Sequence, residues 1–332
     1  MNPEGRGEVK NRILLILLVV MLALSVGLTG CGGEQVPEVT EYDLIISSTE
    51  GGSVTTPGEG TFNYTEGTVV NLVAEPDEGY RFVSWSGDGD DVGDVEDTAT
   101  AITMNGDYTI VACFAREIRD WHDLDAIRDN VGGSYILVNH LDSATPGYEE
   151  LTSPAANGGR GWEPLPPFVG SFDGQGYEIR DLFIDRTEEN QVGLFGEVGT
   201  SAGGRGFIRN VGLVRLVVTG GSDVGGLVGF NWDTVSNSYS AGSVAGEADV
   251  GGLVGANPGT VINSFWDVQS SGQVSVDGGT GKTTTQMKSL ANFSDAGWNI
   301  IAVANPDTRN PSYIWNIVDG ETYPFLSSQS VS

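Results

Sequence analysis

A short glycine-rich unit recurs in the second half of the chain and restricts the folds that the chain can adopt. Val224-Gly-Gly-Leu-Val-Gly229 returns 26 residues later as Val250-Gly-Gly-Leu-Val-Gly255, and Val192-Gly-Leu-Phe-Gly196 is a degenerate earlier copy. A unit of this length holds two or three short strands and cannot bury its apolar residues alone. Stacked units share one continuous core, so the repeat predicts a stack of β-strands.

A polar residue accompanies each repeat and predicts a corner in the backbone. We align Asp181, Asn210, Asn237 and Asn263, which are 29, 27 and 26 residues apart. Asn and Asp tolerate left-handed backbone and hydrogen-bond to nearby backbone groups. The repeats are therefore predicted to coil as a right-handed parallel β-helix, in which these residues form ladders between rungs.

Short helices are expected at both ends of the predicted stack. Residues 120–127 have helical spacing and acidic residues at the start, and a strand is expected over residues 134–139. Met287, Leu290 and Phe293 have i, i+3 spacing, and a helix there is expected to cover the open end of the stack. The fold class is thus all-β, with short helical caps.

The glycine-rich units resemble the GLUG motif of bacterial adhesins and filamentous haemagglutinin-like proteins. The resemblance extends upstream to residues 120–127 and 170–179, and downstream to residues 281–287 and 323–326. It implies an adhesin-like domain over residues 116–332, and it specifies architecture better than function.

The residue pattern of segment 42–115 predicts a separate small β module. Val, Thr, Tyr and Phe are frequent and Gly, Pro and Asp interrupt them at short intervals, which is typical of short strands joined by turns. Asn105-Gly106-Asp107 predicts a tight hairpin between the last two strands. The predicted strands cover residues 42–47, 52–56, 69–75, 81–84, 101–104 and 108–114.

This module resembles the divergent internalin B repeat of bacterial surface proteins. The matching pieces are residues 51–57, 66–88 and 100–114. The resemblance implies a non-catalytic spacer or adhesion module with a small, antiparallel, β-grasp-like fold. Trp85 is expected to pack in its core rather than to stack against a sugar.

The first thirty residues predict export. Lys10 and Arg12 precede an apolar run over residues 13–24, as in a secretory signal, and the run is shorter than a membrane span. Leu28-Thr29-Gly30-Cys31 resembles the bacterial lipoprotein box. The resemblance implies cleavage of residues 1–30, acylation of Cys31, a tether over residues 31–41 and attachment to the cell envelope outside the cytoplasm.

The net charge of the chain excludes nucleic acids as partners. The chain has 16 Lys+Arg against 45 Asp+Glu, a net charge of -29, so it lacks the basic surface that nucleic acids require.

The loop 86–97 is rich in carboxylates. These carboxylates repel one another, and a bound Ca²⁺ would reduce that repulsion. The EF-hand spacing fails, so a solvated loop is preferred and no cofactor is expected. The weak Ca²⁺ candidates are Asp88, Asp90, Asp91 and Asp94.

The candidate catalytic residues of the chain match no known catalytic motif. Gly281-Lys282-Thr283 lacks the earlier glycine of a phosphate loop, and His122 and His140 are not spaced as zinc ligands. Cys113 lies in an apolar run and is expected to be a buried, unreactive thiol. The acids and bases of the predicted stack form no recognisable catalytic pattern: Asp173, Asp181, Asp185, Asp223, Asp267, Arg160, Arg180, Arg186, Arg205, Arg209 and Arg215.

The sequence therefore predicts a lipid-anchored, non-catalytic protein of the cell surface. Its expected partners are the membrane, through the anchor, and surface glycans or proteins of a host or neighbouring cell. Trp162, Trp232 and Trp266 are candidates for sugar stacking, although packing in the core or in an end cap is preferred for each. One alternative is a polysaccharide lyase or hydrolase, because β-helices also carry such enzymes. A third possibility is a structural protein of the cell envelope that binds no ligand.

Overall fold

β-Strands make up most of the regular structure, which confirms the all-β class. The computed structural model describes residues 39–88, 91–274 and 278–326. The described residues from Glu41 onward belong to one compact unit. The predicted signal sequence, Cys31, most of the tether and Asp90 lie outside the described residues.

Seven strands form the amino-terminal module. Their bounds are β1 (Glu41–Ser48), β2 (Gly52–Thr56), β3 (Gly60–Thr65), β4 (Val69–Pro76), β5 (Tyr80–Gly87), β6 (Ala99–Thr103) and β7 (Tyr108–Ile118). One sheet has the order β2-β4-β6, and the other contains β3-β1-β7 with β5 on the free edge of β7. The six predicted strands are present, and β3 is an additional one.

The two sheets of the module enclose a single apolar core. Leu44, Phe82 and Ile110 from one sheet pack with Val70 and Leu72 from the other. Trp85 is buried there, and its indole Nε1 donates to the carbonyl oxygen of Asp97 at 2.9 Å, which confirms the predicted core role.

Two local predictions for the module are wrong. β6 pairs with β4, whereas β7 pairs with β1 and β5, so Asn105-Gly106-Asp107 joins two sheets instead of closing a hairpin. The Asp107 carboxylate accepts from the backbone N–H of Asp43, which ties this turn to β1. The module is also not wholly antiparallel, because β1 and β7 run parallel. The long chain between them permits a parallel pairing that a two-residue hairpin forbids.

The strand β7 is shared between the module and the repeats. Its first half pairs with β1 over Tyr108–Ala112, and its last residues pair in parallel with Tyr135–Leu137 of the next strand. The predicted boundary at residue 115 falls inside this strand. The hydrogen-bonded sheet therefore continues from the module into the repeats without a linker.

Sixteen described strands build the repeat stack, which we define as residues 134–282. They are β8 (Ser134–Leu137), β9 (Ser171–Asp173), β10 (Glu178–Arg180), β11 (Phe183–Arg186), β12 (Phe195–Val198), β13 (Phe207–Arg209), β14 (Gly212–Gly220), β15 (Ser222–Gly225), β16 (Val228–Asn231), β17 (Thr234–Ser236), β18 (Tyr239–Ala245), β19 (Ala248–Gly251), β20 (Val254–Ala256), β21 (Thr260–Ile262), β22 (Phe265–Asp267) and β23 (Thr280–Lys282).

Parallel pairing between equivalent strands joins successive repeats. β8, β9, β13, β17 and β21 are neighbours in one sheet, β10, β14, β18, β22 and β23 in a second, and β12, β16 and β20 in a third. Phe172, Ile208 and Val235 are directly opposite one another and, with Leu213 and Leu227, are buried in one core. The repeats thus share a continuous interior, as the glycine-rich unit predicts.

Left-handed residues do lie at the corners, but the alignment of the first repeat is wrong. Asn210, Asn237 and Asn263 have φ angles of 54°, 46° and 47°. Asp181 is also left-handed, yet it is bound to Arg215 on the next repeat and follows β10, not β9. Gly174 is the residue opposite Asn210, because Asp173 pairs with Arg209. The spacing between equivalent residues of these two repeats is therefore 36 instead of the predicted 29, because a long connection precedes β13.

Glycine is required where neighbouring repeats touch through their backbones. A Cβ atom on Gly255 would lie 2.5 Å from the backbone nitrogen of Val224 and 2.6 Å from the carbonyl oxygen of Gly229. Both groups belong to the preceding repeat, so a side chain at Gly255 would force the repeats apart.

Short helices lie before, within and after the repeat stack. They are α1 (Trp121–Asp125), α2 (Tyr148–Leu151), α3 (Val268–Ser271), α4 (Thr284–Met287) and α5 (Leu290–Ser294), with 3₁₀ turns at Ala126–Asp129 and Ala156–Gly158. α1 and the first 3₁₀ turn confirm the helical spacing after residue 120, and they bury Trp121, Leu124 and Ile127 in the core of the stack. None of the helices among the described residues is long and apolar enough to span a membrane.

The carboxyl-terminal segment lies along the side of the stack, not over its open end. We use this name for residues 283–326, which include α4, α5 and the parallel pair β24 (Ile300–Ala302) and β25 (Trp315–Ile317). Met287 and Phe293 pack with Tyr239 and Phe265. These two rings are on the opposite face of the second sheet from the interior residues Leu213 and Trp266, because side chains alternate along a strand.

Several hydrogen bonds hold the segment against successive repeats. Trp298 Nε1 donates to the carbonyl of Asn263 in the last repeat, and the backbone N–H of Leu326 donates to the carbonyl of Gly176 in the first. The prediction of an end cap is therefore wrong. The outer aromatic rings of the second sheet, Tyr239 and Phe265, form the apolar surface that the segment covers.

Candidate functional site

Only one of the three candidate tryptophans is accessible. Trp162 is 0% exposed and Trp266 is 2% exposed, and both belong to the interior of the stack, as core packing predicts. Trp232 is 38% exposed and follows β16 on the outside of the third sheet. For this residue the preferred core assignment is wrong, and the stacking interpretation gains support.

Trp232 forms a small aromatic platform with Phe230. Their ring centroids are 4.8 Å apart with an interplanar angle of 39°. The indole Nε1 donates to Glu197 Oε1 at 2.7 Å, and Glu197 is directly opposite Phe230 on the neighbouring strand. We call these three residues the aromatic platform. It combines an exposed ring face with a carboxylate that can accept further hydrogen bonds.

The turn beneath the platform is fixed by the repeat structure. The backbone N–H of Trp232 donates to the carbonyl of Val198 at 2.8 Å. Asn231 is buried, and its amide donates to Asn257 Oδ1 at 2.7 Å across to the next repeat. Such amide contacts between repeats hold the turn in one conformation, so the exposed ring is presented on a rigid base.

Several acids of the stack form ion pairs, either with an arginine of another repeat or with one close by in the sequence. Arg209 Nε donates to Asp173 Oδ2 at 2.6 Å, and Arg215 donates to both oxygens of Asp181 at 2.7 and 2.9 Å. The bond from Arg215 lowers the pKa of Asp181 below its usual value. Arg180 pairs with Glu178, and Arg160 and Arg186 pair with Glu189. The pairs of Asp173 with Arg209 and of Asp181 with Arg215 support a ladder role for these two acids.

Asp223, Asp185 and Arg205 differ from the paired groups. Asp223 lies beside Asp249, because the residues on either side of them are paired between β15 and β19. Burial, and then the negative charge of Asp249, raises the pKa of Asp223. No ion pair of Asp185 or Arg205 occurs within the described ranges. The candidate acids and bases therefore do not converge on a single point.

Asp267 is a buried anchor for the carboxyl-terminal segment. Its carboxylate accepts from Tyr323 Oη at 2.6 Å, from Thr284 Oγ1 at 2.7 Å and from the backbone N–H of Gln269 at 2.8 Å. Four carboxylate lone-pair sites can satisfy these donors. Burial, and then the bond to Asp267, raises the pKa of Tyr323.

A second buried group contains His140, Glu178 and Tyr239. His140 Nδ1 accepts from the backbone N–H of Glu178 at 3.0 Å, and its Nε2 is 2.9 Å from the carbonyl of Leu326. Nδ1 therefore carries no proton and Nε2 donates, which is the neutral imidazole. Burial, ahead of the opposing charge of Glu178, lowers the pKa of His140.

Tyr239 completes this group, which the sequence analysis missed. Its hydroxyl is 2.6 Å from Glu178 Oε1 and 2.7 Å from the carbonyl oxygen of Pro324. Burial, followed by the charge of Glu178, raises the pKa of Tyr239 well above its usual value. The three residues are 38 and 61 positions apart in the sequence, and no local pattern connects them.

The remaining titratable candidates have local roles. His122 lies on α1 as predicted, and its Nε2 is 3.0 Å from Glu150, a bond that raises the pKa of the imidazole. Cys113 is half-buried, not buried, and its Sγ is 3.1 Å from Ser86 Oγ. Alternation along β7 turns this thiol away from the module core, which Ala112 and Phe114 enter.

The carboxylates of the acidic loop are used mainly by nearby backbone. Asp88 Oδ2 accepts from the N–H of Thr109, Asp94 Oδ1 from that of Glu96, and Asp97 Oδ1 from that of Ala99. Over residues 39–88, 91–274 and 278–326, no group of three or more His, Cys, Asp or Glu side chains is arranged to hold a metal ion. Asp88, Asp91 and Asp94 are thus not brought together as ligands.

Comparison with known proteins supports the assignment of the module. Residues 42–118 match the family described as divergent InlB B-repeat domain. This match confirms the resemblance inferred from the sequence of the module, and it extends to the end of β7. No solved structure matches the chain.

Two curated proteins share segments with the chain. Halomucin of Haloquadratum walsbyi is 49% identical over 89 residues, which are 27% of this chain and 1% of that protein. A putative Gly-rich membrane protein of Evansella cellulosilytica is 40% identical over 123 residues, which are 34% of this chain and 13% of that protein. The chain therefore spans only a small part of the length of either relative.

Proposed function

We propose that the protein is a lipid-anchored, non-catalytic binding protein of the cell surface and that its aromatic platform binds glycans. The observation that carries this proposal is the exposed Trp232 ring, which packs against Phe230 and donates a hydrogen bond to Glu197 on a rigid repeat. An apolar ring face suits the C–H face of a sugar, and an adjacent carboxylate suits its hydroxyl groups.

The repeats are inferred to coil as a right-handed parallel β-helix of the GLUG type. Their parallel strands are joined by crossover connections, and such connections are right-handed in about 98% of cases. The module is inferred to be an internalin-type spacer with a β-grasp-like arrangement. A stack of this kind presents equivalent positions at regular intervals, which suits the binding of an extended chain.

Surface attachment is inferred from the sequence before the described residues and from the relatives. Acylation of Cys31 would anchor the chain, since several acyl chains bind membranes far more stably than one. One relative is named a putative Gly-rich membrane protein, and the module matches divergent InlB B-repeats. Both comparisons support an exported location.

A non-catalytic role is supported by the state of the candidate acids. Asp173, Asp181 and Asp267 are each bound to cationic or hydroxyl partners within the fold. Glycosidases require two carboxyl groups that face one bond of the substrate. Nothing in the described arrangement of these acids favours the polysaccharide-degrading alternative.

The proposal is tested with the soluble chain from Gly32 to Ser332 on a panel of immobilised neutral and acidic glycans. Binding to at least one glycan is expected, and Trp232→Ala should weaken it by about tenfold, or about 1.4 kcal/mol. Ile262→Ala is the matched control, because it removes an exposed apolar side chain from a different sheet.

The same samples are assayed for new reducing or unsaturated sugar ends. Release of such ends would overturn the non-catalytic assignment. Equal binding by wild type and Trp232→Ala would overturn the role of the platform. Absence of glycan binding by the folded wild type, with binding to a surface protein instead, would replace the glycan by a protein partner.

A further inference from the structure

A cavity of about 200 Å³ lies where three parts of the chain meet. Arg81 comes from the module, Gln175 and Tyr177 come from the turn between β9 and β10, and the carboxyl-terminal segment contributes the rest. The cavity is smaller than the roughly 300–1,000 Å³ typical of drug-sized ligands, so its size suits a ligand no larger than one sugar residue.

The lining of this cavity is cationic in a strongly acidic protein. Arg81 and Arg309 line it, and no carboxylate does so within the described part of the chain. Arg81 is paired with Glu117 on the neighbouring strand at 3.2 Å. Arg309 forms no ion pair with any described residue, although eight of the eleven described arginines do. Arg309 is therefore the uncompensated charge of the cavity.

Arg309 also carries a buried donor without an acceptor. Its Nε is buried and forms no hydrogen bond among the residues that the structure describes. Buried polar groups nearly always have a partner, and one without a partner destabilises the fold. The two terminal nitrogens of Arg309 are not buried and form no hydrogen bond with described residues, so a ligand carboxylate in the cavity can accept from both of them, a paired geometry that guanidinium groups favour.

The other polar groups of the lining suit hydroxyl groups. Asn299 Oδ1 accepts from the backbone N–H of Ile314 at 2.9 Å, which leaves its NH₂ group as a donor. The side-chain amide of Gln175 and the hydroxyls of Tyr177 and Tyr313 make no hydrogen bond with other described residues. Amide and phenol groups both donate and accept, as sugar hydroxyls require.

We infer that this cavity binds the carboxylate of a uronic acid, with Arg309 as its anion-binding residue and the amide and tyrosine groups as its hydroxyl-binding residues. The inference adds a second site and a ligand class to the proposed binding function. It uses none of the residues of the aromatic platform, so either site can fail in its test while the other stands.

The test titrates the soluble chain from Gly32 to Ser332 with sodium D-glucuronate and detects binding by saturation-transfer NMR. A ligand with about 13 non-hydrogen atoms is expected to bind with a Kd on the order of 1 mM. Glucuronamide has nearly the same shape without the charge and should bind at least about tenfold more weakly. Acetate carries the charge without the hydroxyls and should also bind at least about tenfold more weakly.

Arg309→Gln should lower glucuronate affinity about tenfold or more, and Arg205→Gln is the matched control. Arg205 is exposed and unpaired among described residues, so both variants remove one unpaired positive charge. Equal binding of glucuronate and glucuronamide, or equal loss in both variants, would overturn the inference. Equal binding of acetate would reduce the site to a simple anion site. The ligand comparison uses the unmodified protein and does not depend on the folding of a variant.

Discussion

His140 should make the stability of the protein fall on mild acidification. In the folded protein its Nδ1 accepts from the N–H of Glu178 and its Nε2 donates to the carbonyl of Leu326, so added protons have no free position. Burial lowers the pKa of this imidazole below its ordinary value, whereas in the unfolded chain it titrates near 6.5. Well above pH 6.5 both states are neutral and this group contributes no pH dependence.

Below pH 6.5 the unfolded state takes up a proton that the folded state resists. The free energy of unfolding then decreases by up to about 1.4 kcal/mol per pH unit until the pH reaches the folded-state pKa. Between pH 7.0 and 5.5 the contribution of His140 is at most about 1.3 kcal/mol. His140→Gln lacks the titrating group, so its stability should fall by that much less over the same interval.

The assay is urea unfolding at constant ionic strength, followed by tryptophan fluorescence for wild type and His140→Gln at several pH values. The difference between the two proteins removes contributions that they share, including that of His122, whose raised pKa acts in the opposite direction. Hydrogen exchange of the Glu178 amide gives a local reading of the same bond. Parallel pH profiles for the two proteins would refute the reasoning.

Three further perturbations test other parts of the structure. Gly255→Ala should cost about 2 kcal/mol, because its Cβ meets backbone of the preceding repeat, whereas Gly132→Ala, with no atom closer than 3.9 Å, should be nearly neutral in the same urea titration. Asp267→Asn should cost about 2 kcal/mol, because its NH₂ group cannot accept the hydroxyl bonds of the carboxylate, and an unchanged unfolding midpoint would contradict this. Cys31→Ala should abolish incorporation of a labelled fatty acid in cells and release the protein from the membrane fraction, and retained label would refute the anchor.

The sequence predicts those features that depend on neighbouring residues within one repeat. Asn tolerates left-handed backbone and recurs at the same place in the later repeats, so the corners at Asn210, Asn237 and Asn263 could be assigned without a structure. The 26-residue spacing likewise fixes the register of the later repeats. Asp181 was misaligned because the long connection before β13 changes the spacing, and the residue type alone does not show which strand it follows.

The remaining features of the fold depend on contacts between distant segments, so the sequence did not predict them. The spacing of Met287 and Phe293 shows that they are buried, but it does not show which surface covers them, so the lateral position of the carboxyl-terminal segment was missed. The exposure of Trp232 could not be separated from the burial of Trp266, since each has a Phe within the two preceding residues and an Asp directly after it. The cavity at Arg309 combines three distant segments and has no local pattern.

The shared strand β7 determines how the protein carries mechanical load. β1 and β7 are parallel neighbours, and the chain enters through the amino end of β1 and continues into the repeats from the carboxyl end of β7. A force that pulls Glu41 away from Ile118 therefore acts along the two strands and loads their hydrogen bonds together in shear, instead of opening them one after another.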